Sequence, residues 1–98
     1  MPRAKTSPEK LSNRDLQRIS RALADPRRFE ILKHIASGAC AACTELRTEF
    51  PVSAATLSHH LKELEGARLI DIVRRGKFVD AQFRRETWQA YLDALTSL

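Results

Sequence analysis

Ser53-Ala54-Ala55-Thr56-Leu57-Ser58-His59-His60-Leu61-Lys62-Glu63-Leu64-Glu65 is the stretch on which the fold turns. Leu57, Leu61 and Leu64 recur at i, i+4 and i+7, the spacing of a single stripe on an α-helix, and Ser53 stands where a hydroxyl caps the free amides of the first turn. The stripe is expected to face inward. Ala54, Ala55, Ser58, His59 and Lys62 then lie on the outward side, small at the start and polar beyond it. His60 falls in line with Leu57 and Leu64, where an imidazole is expected to make an internal hydrogen bond.

Working outward, Pro51 stops a short helix over residues 44–50, so two helices meet through a tight turn. Upstream, Leu16, Ile19, Ala22 and Leu23 carry helical spacing in a first helix that starts near Ser12. Asp25-Pro26 restarts the chain into a second helix ending near Ser37, because Asp caps open amides and Pro fits the first helical position. Phe29, Ile31, Leu32, Ile35 and Ala36 form its expected apolar face, and Gly38 follows as the usual residue past a helix end. Downstream, Gly66 is expected to let the chain turn. Residues 69–73 and 78–83 read as two strands joined by Arg74-Arg75-Gly76-Lys77, a hairpin with a basic tip. Residues 86–98 close the chain as a helix with Trp88, Tyr91, Leu92, Leu95 and Leu98 on one face.

The 98 residues, 43% hydrophobic and 30% charged, have room for one globular domain and no more. Barrels and doubly wound sheets need a longer chain. No apolar run approaches the roughly 18 to 20 residues of a membrane span, so no membrane is expected among the partners. Residues 1–10 hold two prolines and three basic residues with almost nothing apolar. They read as a mobile arm without the apolar core of a secretory signal, and the domain as residues 11–98 of a cytoplasmic protein. Seventeen Lys and Arg against twelve Asp and Glu give a net charge of +5, which points toward a polyanion.

This order of elements, α-α-α-α-β-β-α, is mainly α with a small β-hairpin, and it defines a winged helix-turn-helix. In that architecture the second helix of the pair enters the major groove and the hairpin lies against the backbone or the adjacent minor groove. Double-stranded DNA is therefore the expected partner. Its contacts are assigned to Ser53, Ala54, Ala55, Thr56, Ser58, His59 and Lys62 on the helix and to Arg74, Arg75 and Lys77 on the wing. Arg27-Arg28 and Arg84-Arg85 are equally well read as phosphate contacts or as solvated helix ends. An enzyme is not expected: Ser58, His59 and His60 are adjacent, but consecutive helical residues point in different directions, and no acidic orienter accompanies them. A protein-interaction or architectural winged-helix module without inducer response is the alternative function.

Residues 22–32, Ala22-Leu23-Ala24-Asp25-Pro26-Arg27-Arg28-Phe29-Glu30-Ile31-Leu32, resemble the opening motif of the ArsR/SmtB bacterial regulators. Residues 53–64 are similar to that family's recognition-helix signature. Gly66-Ala67-Arg68-Leu69-Ile70, followed by Arg74-Arg75-Gly76-Lys77, is similar to its entry into the wing. The resemblance runs from about Ile19 to Phe83. It implies a homodimeric repressor reading a dyad-symmetric operator, with the first and last helices at the interface. Independently, the Trp/Tyr/Leu face of the last helix is more apolar surface than a lone small domain needs. The interface is assigned to Leu16, Ile19, Leu23, Trp88, Tyr91, Leu92 and Leu95. The aromatic pair's helical spacing favours that role over a base-stacking platform.

The same family is known for sensing metals and metalloids, which brings in Cys40 and Cys43. In the matching family motif two thiolates adjoin an Asp-Leu pair; here Ala42 and Thr44 take those places, and the match is displaced by one residue. The Cys-x-x-Cys spacing leaves three readings open: structural side chains, ligands of a thiophilic metal or metalloid inducer, or a reversible disulfide. A helix start would lower the thiol pKa. Two sulfurs alone make a weak site, which His34, His59, His60, a carboxylate or a second protomer would have to complete. No cofactor is required. The last helix carries no His, which argues against the family's other site type. His34 is expected to be a partly buried polar residue.

Overall fold

Ser12 starts the first helix in the computed structural model, which describes residues 10–98. Its Oγ accepts from the Asp15 N–H at 3.0 Å while its own N–H donates to Asp15 Oδ2 at 2.9 Å. This reciprocal box satisfies two otherwise open groups, and α1 runs over Asn13–Leu23. The expected mobile arm lies, apart from Lys10, outside the described residues.

Helix α2, Pro26–Ser37, begins as the Asp-Pro pair dictates. Asp25 Oδ1 accepts from the amides of Arg27 and Arg28 at 2.9 and 3.2 Å, and Pro26 occupies the first turn. Its inward face differs from the expected one. Arg28, Ile31, Leu32 and Ile35 are buried at i, i+3, i+4 and i+7, and Phe29, one step around the helix, is 38% exposed. Arg28 holds a core position because its guanidinium finds acceptors there: Ala22 O and His60 Nδ1, each at 3.2 Å.

After Gly38 the left-handed turn falls on Ala39, whose φ is 65°. Strand β1, Cys40–Ala42, follows, then α3, Cys43–Glu49. Phe50 is extended, as the residue before Pro51 must be. Helix α4, Ala54–Gly66, is capped by Ser53, whose Oγ accepts from the Thr56 N–H at 3.0 Å. Its far end is held by Arg18 Nη1, which donates to Gly66 O at 3.2 Å. The chain then reverses at Arg68, φ 62°, instead of at the expected Gly66. Arg68 Nη2 lies 3.4 Å from Asp15 Oδ2, tying this turn to the start of α1.

Strands β2, Ile70–Arg75, and β3, Phe78–Phe83, pair antiparallel from Ile70 opposite Phe83 to Arg75 opposite Phe78. Only Gly76 and Lys77 separate them. Gly76 takes φ 62°, the left-handed angle a two-residue hairpin asks of its first central residue. The expected two-stranded hairpin is a three-stranded sheet in the order β1-β3-β2. Cys40, Ala41 and Ala42 face Gln82, Ala81 and Asp80. Three residues without a β-branched side chain carry no strand pattern; the free edge of β3 makes them a strand.

Helix α5, Arg85–Thr96, packs back on α1, where Tyr91 Oη and Ser20 Oγ share a hydrogen bond of 3.1 Å. The core joins Ile19 of α1, Ile31 and Ile35 of α2, Leu46 of α3, Leu57, Leu61 and Leu64 of α4, Leu69 beyond it, and Ile70 and Ala81 of the sheet. Every helix except α5 lends it a large aliphatic residue, so α4 is clamped between partners on its inner side. No helix among the described residues is long and apolar enough to cross a membrane.

Candidate nucleic-acid interface

The inner side of α4 consists of Leu57, His60, Leu61 and Leu64, all buried. Ala54, Ala55, Thr56, Ser58, His59 and Lys62 are exposed, as is the cap residue Ser53. The expected division of the helix therefore holds residue by residue. Ser53 and Thr56 are committed to each other, with Ser53 Oγ donating to Thr56 Oγ1 at 2.9 Å. Thr56 keeps its own hydroxyl proton to donate outward. Ala54 and Ala55 leave the first turn free of bulk.

The two histidines have opposite situations. The ring of His59 is on the exposed side, its centroid 6.2 Å from that of His60. His60 accepts the Arg28 Nε–H at Nδ1, so its ring proton sits on Nε2. Burial holds the His60 pKa below the ordinary imidazole value; Asp25 pulls it back up, and Arg28 adds to the lowering. With His60 turned inward and Ser58 and His59 outward, this run does not converge on one point.

At the wing, Arg74, Arg75 and Lys77 are all exposed. Arg75 Nη2 donates to Asp80 Oδ2 across the hairpin; the Asp80 side chain is 12% exposed and that of Arg75 69%. That contact keeps the Arg75 guanidinium more firmly protonated than usual, with the hydrogen bond to Asp80 the larger cause and its charge the second. One edge of the guanidinium is thus anchored to β3 while its other donors face solvent. The sequence reading missed Asp80, whose signal was a lone charge in an otherwise uncharged strand. It read Arg28 as a phosphate contact or a solvated helix end, whereas its place three residues before Ile31 puts it on the buried face of α2, bonded to His60 and Ala22.

Of the other paired cations, Arg28, Arg84 and Arg85 have partners within the fold, and Arg27 is exposed. Arg84 Nε lies 3.2 Å from Glu86 Oε1 and 3.8 Å from Asp71 Oδ2, and the Arg85 guanidinium sits 5.4 Å from the centre of the Phe83 ring. Arg28 is internal.

Cys40 is exposed on β1, and Cys43 is half-buried as the first residue of α3. The expected lowering at a helix start is not what Cys43 experiences. Burial and then the Asp80 charge push its thiol up, with Arg74 opposing. His34 is engaged elsewhere: its Nε2 meets Glu45 Oε2 at 2.5 Å and its ring packs edge-on against Phe50. Among the described residues no three His, Cys, Asp or Glu side chains come together as a metal site. Two thiols with no third His, Cys, Asp or Glu grouped with them are an incomplete donor set, so the described residues of one protomer do not by themselves complete a site for a soft ion.

The expected interface set divides. Ile19 is completely buried inside the protomer, and Tyr91 is nearly so, with its hydroxyl bonded to Ser20. Both are core residues, because α1 closes over α2 and α4 and Tyr91 of α5 turns inward to meet α1. Leu16, Leu23 and Trp88 are partly buried against the core, Leu92 is half-buried, and Leu95 is 47% exposed. An apolar strip therefore remains along the outer side of α1 and α5.

Residues 23–73 match the Helix-turn-helix domain family. An arsenical resistance operon repressor of Staphylococcus xylosus is 38% identical over 66 residues, covering 67% of this chain and 62% of the repressor. The crystal structure of an ArsR family transcriptional regulator superposes with a TM-score of 0.79 at 25% identity, covering 91% of both chains. The solution structure of a homodimeric winged helix-turn-helix DNA-binding domain from Mycobacterium bovis, a possible ArsR-family regulator, gives 0.70 at 22% identity over 91% of this chain and 88% of that one. With the helix-turn-helix match spanning half the chain, the wing in place and both sequence and structure converging on one set of relatives, this chain belongs to the ArsR/SmtB family of winged helix-turn-helix regulators.

Proposed function

We propose that the protein is a homodimeric transcriptional repressor that reads a dyad-symmetric operator, with α4 in the major groove and residues 74–77 on the flanking backbone. The observation that carries this reading is the division of α4: four side chains of one face are locked in the core, and the opposite face offers only small and polar groups. A helix held rigidly from behind can present Ser58, His59 and Lys62 to base edges without ordering them anew on binding. The basic wing supplies the part of the affinity that does not depend on sequence. The homodimeric state of the Mycobacterium bovis domain and the apolar strip on α1 and α5 support a two-fold assembly. Repression is the role of the Staphylococcus relative, and it is the role proposed here.

Selection from a random duplex pool, followed by titration of the selected duplex and a scrambled one at about 150 mM salt, tests the reading. Specific sites are held roughly 10³-fold or more tighter than non-specific DNA. Equal affinity for the two duplexes would overturn it. Replacement of His59→Ala is expected to change which sequence the pool yields.

A further inference from the structure

Between α4 and the wing lies a groove with a cavity of about 260 Å³. Its floor is aliphatic, built from Leu57 and Leu61 of α4, Ile72 of β2 and Val79 of β3, with the Cys43 side chain at one end. Its rim is charged: Arg47 of α3, Lys62 of α4 and Arg74 of β2 surround it, against the single carboxylate of Glu65. Three cations facing one anion leave an uncompensated positive rim over an apolar floor. A DNA phosphate would answer the rim but gain nothing from Leu, Ile and Val. The complementary occupant has an apolar body and one negative charge, and a carboxylate suits Arg and Lys donors best. The volume is just under the roughly 300–1,000 Å³ of sites for drug-sized ligands, which limits the body to something small.

We propose that this groove binds a small apolar carboxylate and that its occupant competes with DNA. The competition rests on the DNA-binding reading above, because the lining includes Ala54, Ser58, Lys62 and Arg74 of the proposed DNA surface. A molecule seated there would stand between the recognition helix and the wing. Arg47 lines the groove but lies outside the residues assigned to the DNA surface, so it separates the two roles.

The chain has two cysteines, so Cys40→Ser leaves Cys43 as the only thiol and as a reporter on the groove. The rate of its alkylation by N-ethylmaleimide, followed by mass spectrometry, is measured with 2-naphthoate and with the uncharged 2-naphthamide as probes. Naphthoate is expected to slow labelling in a saturable way and naphthamide to leave it unchanged. Arg47→Gln, a surface change checked for folding by circular dichroism, should raise the protecting concentration of naphthoate about three- to tenfold. In the second arm naphthoate weakens binding of the selected duplex, and Arg47→Gln requires correspondingly more of it. No protection at millimolar naphthoate, or equal protection by naphthamide, overturns the site. Protection with unchanged duplex affinity overturns the competition and keeps the site. Protection in a protein that ignores every duplex supports the site and removes the DNA reading.

Discussion

Arg28 Nε donates to His60 Nδ1 across 3.2 Å, and through that one bond α2 fixes the inner face of α4. The same guanidinium donates to Ala22 O, at the end of α1, so three helices share a single buried cation. Asp25, which caps α2, lies 3.9 Å from Arg28 Nη2 and supplies the nearest opposing charge. The side chains that orient the outward face of the recognition helix are therefore polar as well as apolar. Replacing Arg28→Met would leave a carbonyl and a ring nitrogen buried without donors, a loss of about 1–3 kcal/mol in urea unfolding. Adding His60→Leu removes one of the two orphans, so the double variant should recover part of that loss. Strictly additive losses would show that the pair does not act as a unit.

Acid should weaken the fold through the same pair. The folded pKa of His60 lies below its ordinary value of 6.5, because burial disfavours the imidazolium. The unfolded chain then binds more protons in the window between the two values. Stability from this group is complete above pH 6.5 and is lost as pH falls below that toward the folded pKa. Urea midpoints measured from pH 8 down to pH 5 should fall, and His60→Gln should flatten the decline. A midpoint indifferent to pH in the parent protein would contradict the assignment.

On the wing, Lys77 and Arg75 differ in how they are held. Lys77 is exposed at the turn, and Arg75 is tethered to Asp80. If each meets one phosphate, Lys77→Ala and Arg75→Ala should each lower the slope of log affinity against log salt by about 0.9 and weaken selected and scrambled duplexes alike. Asp80→Asn makes the protein more positive, which by charge alone would tighten binding. By freeing Arg75 it should instead weaken binding, and fluorescence anisotropy titrations at several salt concentrations distinguish the two outcomes.

The helices were legible because their signals are local. Ser53, Asp25 and Pro26 mark starts through backbone groups within three residues, and the leucine stripe of α4 repeats along one element. The Arg-Gly-Lys hairpin tip was legible for the same reason. What escaped the sequence is what depends on distant chain. Cys40, Ala41 and Ala42 become a strand only because β3 offers an open edge some forty residues later. Arg28 replaces Phe29 on the inner face of α2 because His60 and Ala22 O are waiting there, and nothing in the pattern of α2 announces them. The thiol of Cys43 is raised by burial under the wing and by Asp80, so a helix-start argument built on adjacent residues reached the wrong sign. The outward residues of α4 were readable as a set, whereas the groove they share with the wing needed the folded chain.

Leu95 and Ile19 divide the proposed interface into what faces outward and what does not. Both sit on the helices assigned to dimerisation, yet Leu95 is 47% exposed and Ile19 is wholly buried. Leu95→Glu places a charge on the outer strip without disturbing the protomer core. It should give a monomer by light scattering, with an unchanged circular dichroism spectrum. Losing the linked second half-site should also weaken binding of a palindromic duplex far more than binding of a single half-site, since linkage multiplies affinity by up to about 10²–10⁴. Ile19→Ala should do the reverse, lowering unfolding stability by about 2–5 kcal/mol and leaving the assembly of the folded fraction intact. A parent protein that is monomeric at every concentration, or a Leu95→Glu variant that stays dimeric, would place the two-fold contact elsewhere or nowhere on α1 and α5.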